Sequence, residues 1–231
     1  MAAQKDLKSR IGSIKNIQKI TRAMEMVAAA RLRKAEQRIE ALRPYASAIR
    51  RMTRQAAEAA GNIPQLPILN EHDNEQRVGL MLVTGDRGLA GAFNSQIIRA
   101  GIRAGSEFEN DGKETVYYAS GRRGVSSLTF RGRTPEETEA EQQQRNALWI
   151  YEPGPEEILQ RLLPDFVEIT IFRALLESTA SEHGARMTAM RSASENADEM
   201  IEVLTLEANR VRQAEITQEI MEVVAGAEAL G

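Results

Sequence analysis

The sequence predicts an α/β chain in which the two ends form a long antiparallel coiled coil and a small α/β domain lies between them. Three observations carry this. Both ends place an apolar residue about every three to four positions over most of their length, the pattern of a long helix that needs a partner along its whole side. The ends carry opposite charge: residues 1–60 hold 14 Lys/Arg against 5 Asp/Glu, a net +9, and residues 156–231 hold 6 against 15, a net −9. Between them, short apolar runs bounded by glycine alternate with a helical pattern, as in a strand–helix–strand unit. The expected divisions are 1–60 for the N-terminal helix, 61–155 for the α/β domain and 156–231 for the C-terminal helix. A long rod is a mechanical object rather than a catalytic one.

In the first helix, Ile11, Ile14, Ile17, Ile20, Met24, Val27, Ala35, Ile39, Leu42, Ala46 and Ile49 step by threes and fours. Gly12 and Pro44 are its breakers, and the periodicity runs through both. About 55 residues at about 1.5 Å rise make a rod of about 80 Å. The segment from Gly61 to Asn74 carries two prolines and reads as a linker. Val78–Val83 is an apolar run ending in Thr84-Gly85, hence a buried strand; Phe93–Arg103 is helical, and Glu114–Ala119 is a second strand closed by Gly121. A strand–helix–strand unit implies a parallel pair, and one such pair is too small to be stable alone. Thr134–Asn146 is polar throughout and reads as a loop, and Leu148–Tyr151 as a short strand before the turn Glu152-Pro153-Gly154-Pro155. Glu156 opens a short helix ending near Leu163, and Pro164 suits the start of the long one. Its stripe is Phe166, Ile169, Phe172, Leu176, Met187, Met190, Ala197, Ile201, Leu204, Val211, Ile220, Val224 and Ala227.

Composition excludes several function classes. Only 10 of 231 residues are aromatic, so the apolar share falls to Ala, Leu, Ile and Met, as in long helices. With no cysteine, disulfides, thiolate catalysis and zinc–thiolate sites are impossible, which fits a reducing compartment. No apolar run reaches the roughly 18–20 residues of a membrane span. The N-terminus lacks the apolar core of a secretory signal; it is basic and amphipathic, but Asp6, Glu25 and the unbroken helical pattern argue for mature structure.

The motifs that invite chemistry are weak. TGDRGLAGAFN follows a strand, but no GK[ST] occurs and its glycines are spaced by three, so neither phosphate-binding template fits. A tight strand-to-helix turn accounts for it. His72 and His183 stand alone without a second ligand at metal spacing. Carboxylate pairs such as Asp198/Glu202 fit a charged helix face. The basic N-terminal helix has no aromatic in its first 44 residues to stack on bases. Pairing with the acidic helix explains its charge without nucleic acid. Met24, Met26, Met187, Met190, Met200 and Met221 fall on or beside the apolar stripes and are expected in the core.

Four strings are more specific. SRIGSIKNIQKITRAMEMVAAARLRKAE, TGDRGLAGAFN, YEP and ASEHGARMTAMRSASENADEMIEVLTLEANRVRQAEITQEIMEVVAGAEAL, in this order, resemble the gamma subunit of the rotary, proton-translocating ATP synthase over about three quarters of the chain. The resemblance implies a left-handed antiparallel coiled coil with a Rossmann-like domain beside its foot. It implies a central shaft that couples rotation of the c-ring to ATP synthesis and hydrolysis at the beta-subunit sites. No catalytic residue, metal or cofactor of its own is implied. The implied partners are the alpha and beta subunits, the epsilon subunit and the c-ring, with the membrane met only through the c-ring and no nucleic acid. The place is peripheral, on the cytoplasmic face of a bacterial plasma membrane. The absence of cysteine removes the redox pair of the chloroplast form and favours a bacterial type. The implied contacts to alpha and beta are Met24, Arg210, Arg212 and Gln213, and the contacts of the foot to the c-ring are Trp149, Tyr151 and Glu152.

One departure stands out. Family members carry some fifty more residues between the positions matching Arg133 and Thr134. Either the domain is reduced or a stretch has been omitted there, and the isolated strand pair favours omission. Two rival functions remain open: a coiled-coil adaptor with a basic arm for nucleic acid, and a nucleotide-binding α/β protein with helical extensions.

Overall fold

The computed structural model describes residues 2–59, 76–136 and 155–228. The described chain is mostly helical, with a small two-stranded parallel sheet. In order come α1 (Ala2–Ala59), β1 (Arg77–Val83), α2 (Phe93–Asn110), β2 (Glu114–Ser120), α3 (Arg122–Phe130) and α4 (Pro155–Glu228). It divides into two compact units, Met1–Ala28 with Arg186–Gly231, and Ala29–Ala185.

In the first unit, Gln18 meets Asp198, Thr21 meets Ser194 and Glu25 meets Arg191. Numbers rise on α1 as they fall on α4, so the pair is antiparallel. The shielded face of α1 includes Leu7, Ile11, Ile14, Gln18, Thr21, Glu25 and Ala28; that of α4 includes Met187, Met190, Ser194, Ala197, Ile201, Leu204, Ala208 and Val211. Both alternate steps of four and three, a repeat of seven, as paired helices require.

This corrects part of the apolar stripe read from the sequence. Ile17, Ile20 and Val27 are 54%, 59% and 54% exposed and lie off the seam. A step of three turns only about 300° around a helix, so the run Ile11, Ile14, Ile17, Ile20 walks off the face where it began. Met190 is buried and Met24 and Met187 half-buried, but Met26, Met200 and Met221 are exposed rather than in the core. Ile220 and Val224 of the C-terminal stripe are exposed as well, together with Ile216, Met221 and Val223.

In the second unit the later part of α1 runs antiparallel to the early part of α4. Leu32 lies by Gly184, Leu42 by Phe172 and Leu176, and Ala46 by Phe166 and Ile169. The opposite net charges of the two ends do not appear as ion pairs along this part of the helix pair. Arg31, Arg33, Lys34, Arg38, Arg43, Arg50 and Arg51 are exposed, and none makes an ion pair among the described residues. Each exposed pair would contribute only about 0–1 kcal/mol, so solvation competes with it successfully.

Pro44 lies inside α1 and Pro164 inside α4. The expectation of a short helix ending near Leu163 is therefore wrong. A proline within a helix removes one hydrogen bond, and Pro164 is exposed, where water can serve the freed carbonyl.

The strands pair in parallel from Arg77↔Glu114 to Val83↔Ser120. Leu82, Tyr117, Ala119 and Leu128 form the core of this α/β part, with Leu80, Ile97, Ile102 and Val125 packed around them. Helix α3 was not foreseen: GRRGVSSLTF, with its glycines, serines and β-branched residues, has weak helix propensity. The chain is continuous from Arg133 through Thr134, and Glu136 donates its N–H to the Tyr117 carbonyl at 3.0 Å while its carboxylate takes Arg77 at 2.6 Å. These contacts hold the described end of the segment after α3 against β1 and β2. The linker 61–74, most of the loop 134–146 and the strand 148–151 lie outside the described residues.

Candidate functional site

The strand ends and the glycine turn come first, because in parallel α/β sheets ligands bind beyond the carboxyl ends of the strands. That crevice, about 220 Å³, is lined by Thr84, Gly85 and Asp86 after β1, by Ser120 and Gly121 after β2, and by Leu175, Ser178, Thr179 and Glu182 of α4. The Ser178 hydroxyl donates to the Val83 carbonyl at 3.1 Å. The Glu182 carboxylate lies so close to Gly85 that an added Cβ would meet it at 2.8 Å. A carboxylate in this position repels a phosphate.

The N-terminus of α3 is closed to anions by the protein's own oxygens. Arg122 donates its N–H to the Asp86 carboxylate at 3.0 Å, Arg123 to the Gly85 carbonyl at 3.3 Å, and Gly124 to the Thr84 hydroxyl at 2.8 Å. Thr84 in turn donates to the Ser120 carbonyl at 2.9 Å. Gly121 adopts φ 90°, and a Cβ there would overlap the Thr84 carbonyl, so glycine is required by both conformation and space. The glycine pattern thus serves close packing of α3 and α4 on the strand ends, and the nucleotide-binding reading loses its site.

A second polar cluster joins α2, β2 and the segment after α3. Arg133 bridges the Glu109 carboxylate at 2.5 and 3.0 Å, donates to the Tyr117 hydroxyl at 2.5 Å and stacks 5.2 Å over its ring. Burial pushes the Tyr117 phenol above its ordinary value, partly offset by Arg133, whose own guanidinium is raised chiefly by Glu109. This clamp ties the last described residues before the loop to α2 and β2, and it is structural.

Of the residues expected to contact other subunits, Met24 is half-buried on α1, while Arg210, Arg212 and Gln213 are exposed on α4. All four lie in the first unit but do not form one cluster. Glu25 faces Arg191, and Arg210 is 19 residues further along α4, about 28 Å at a rise of about 1.5 Å per residue. Trp149, Tyr151 and Glu152 lie outside the described residues.

Beside Met24 is a set of polar seam residues not singled out from the sequence. The Thr21 and Ser194 hydroxyls, on residues 8% and 7% exposed, are 2.7 Å apart. Gln18 donates to Asp198 on one side, and Arg191 donates to Glu25 at 2.8 Å on the other, which raises the Arg191 pKa. The ion pair reverses the expected polarity, because the basic helix supplies the acid. Counting by sevens from Ile11 and Ile14 reaches Gln18, Thr21 and Glu25 and would have revealed the layer. Among the described residues, no group of His, Asp or Glu could hold a metal, and no helix is long and apolar enough to cross a membrane.

The described chain is mostly helical, its ends pair antiparallel, and a small parallel α/β part accompanies them. The family model described as ATP synthase matches residues 3–142 and 133–230. The ATP synthase gamma chain of Moorella thermoacetica is 38% identical over 286 aligned positions, with all of both chains covered. That of Sphingopyxis alaskensis is 38% identical over 291, again with all of both covered. The chain therefore belongs to the ATP synthase gamma chain family. An alignment of 286 positions against 231 residues leaves at least 55 positions without a residue of this chain, and the two family matches overlap at 133–142. A chain of the Euglena gracilis mitochondrial ATP synthase rotor has the same fold at TM-score 0.60 and 16% identity, covering 93% of this chain and 99% of that one. A chain from the Tetrahymena thermophila central stalk and c-ring matches at TM-score 0.55 and 20% identity, covering 76% and 99%.

Proposed function

We propose that this chain is the central shaft of a proton-translocating ATP synthase. Its ends wind as a left-handed coiled coil over 1–60 and 156–231, and residues 61–155 belong to a small Rossmann-like α/β domain. A strict seven-residue repeat on both helices favours left-handed supercoiling, since it falls short of two full α-helical turns. Proton flow turns the c-ring, the shaft turns with it inside the hexamer of alpha and beta subunits, and its asymmetry takes each beta site in turn through binding, synthesis and release. Hydrolysis drives the same motion backwards. The chain is non-catalytic, and its partners are alpha, beta, epsilon and the c-ring on the cytoplasmic face of a bacterial membrane.

The observation that carries this reading is the antiparallel seam combined with full-length similarity to gamma chains. Within it, Met24, Arg210, Arg212 and Gln213 face the moving beta loops, where guanidinium groups can grip carboxylates in two-point contacts. Trp149, Tyr151 and Glu152 grip the c-ring loops. The exposed apolar end of α4, with Ile216, Ile220 and Val224, is covered by the hexamer. The test is co-purification with alpha and beta subunits together with ATP hydrolysis that depends on this chain. Recovery without them, or hydrolysis indifferent to its removal, sinks the proposal. Met24→Lys is expected to lower protons pumped per ATP in membrane vesicles more than it lowers hydrolysis.

A further inference from the structure

We infer that the polar layer Gln18–Asp198, Thr21–Ser194 and Glu25–Arg191 sets the rotational position of α1 against α4, and that these are positioning residues for the Met24 contact. The inference deepens the shaft reading and rests on it for its functional half.

Within residues 17–27, apolar burial does not by itself choose the face of α1 that enters the seam. Through residues 17–27, α1 carries two interleaved faces. One holds Gln18, Thr21 and Glu25; the other holds Ile17, Ile20, Met24 and Val27. Hydrophobic burial favours the second face in the seam, because three large branched side chains would leave water. The molecule takes the first, leaving Ile17, Ile20 and Val27 more than half exposed. Leu7, Ile11, Ile14 and Ala28 hold this face on either side, and within 17–27 the contacts to α4 add a selection that burial there does not make. Ser194 is buried, and the Thr21 hydroxyl is its partner at 2.7 Å; turning α1 to bring isoleucine inward would strand that hydroxyl in an apolar seam. The same turn would separate Glu25 from Arg191 and Gln18 from Asp198. A single polar position can fix register in a coiled coil at some cost in stability. Here three consecutive seam positions act together, and what they hold in place is the face that presents Ile17, Ile20 and half-buried Met24.

The chain has no cysteine, so one can be introduced as a probe of azimuth. In the full chain, Ile17→Cys should react readily with a soluble maleimide. When Thr21→Val, Ser194→Val and Arg191→Leu are added, the layer no longer discriminates, the apolar face turns inward, and the alkylation rate should fall several-fold. An unchanged rate overturns the inference. The functional half is read in the assembled complex in vesicles. Arg191→Glu should lower protons pumped per ATP several-fold while hydrolysis persists, and adding Glu25→Arg, which restores the pair with reversed polarity, should recover coupling. A double variant no better coupled than the single one overturns the positioning role, since mere damage to the seam would not be repaired by a second charge change. If the wild-type chain does not assemble with the hexamer at all, the shaft reading fails instead, and the alkylation rates still decide whether the layer sets the azimuth.

Discussion

At the scale of single residues, the seam separates positions that look alike in the sequence. Ile17 is exposed and off the seam, so Ile17→Asp should shift the stability of the chain by no more than about 0.5 kcal/mol. Ala28 is 1% exposed at a seam position, so Ala28→Asp buries an unpaired carboxylate and should cost roughly 3 kcal/mol or more. Thermal midpoints of the two variants, measured side by side, check the assignment, and equal losses would contradict it. Gly121→Ala is a third case. It combines positive φ with overlap onto the Thr84 carbonyl and should cost about 1–3 kcal/mol, seen as a lower midpoint without loss of helix content below it.

At the scale of elements, the long helices and both strands were legible because their signals are repetitive: threes and fours over tens of residues, and apolar runs closed by glycine. The seam itself was less legible. Apolar residues sit on two neighbouring faces of α1, and hydropathy alone chose Ile17 over Gln18. Helix α3 was invisible because its stability is tertiary, through Leu128 in the core and an N-terminus bonded by Asp86, Gly85 and Thr84. The glycine turn reads as packing, but Ser178 and Glu182, which line the crevice beside it, lie about ninety residues away and carry no local signal. The Glu182 carboxylate against Gly85 disfavours a phosphate in that crevice. Millimolar ATP should leave the thermal midpoint of the full chain unchanged, whereas a bound nucleotide would raise it. Pro164→Ala should stabilise α4 by about 1–3 kcal/mol, by restoring a helical hydrogen bond and removing ring strain.

At the scale of the whole molecule, the sequence carries two oppositely charged ends whose apolar stripes are expected to supply most of the cohesion. The structure assigns cohesion to the seam and leaves many α1 arginines to solvent. From Ile216 onward the large side chains are exposed, with Ile216 47%, Ile220 58%, Met221 68%, Val223 72% and Val224 54%. An exposed apolar stretch of this kind marks an interaction surface when it is not an aggregation liability. Because these residues contribute little to the seam, deleting 216–231 should leave the thermal midpoint of the isolated chain nearly unchanged. If the stretch is covered by the hexamer, the same deletion should weaken assembly, measured as the fraction of chain recovered with alpha and beta subunits at equal expression. A midpoint that collapses on truncation would place this end within the cooperative fold. A midpoint and a recovery both unchanged would mean that the apolar end of α4 has no partner in the assembly.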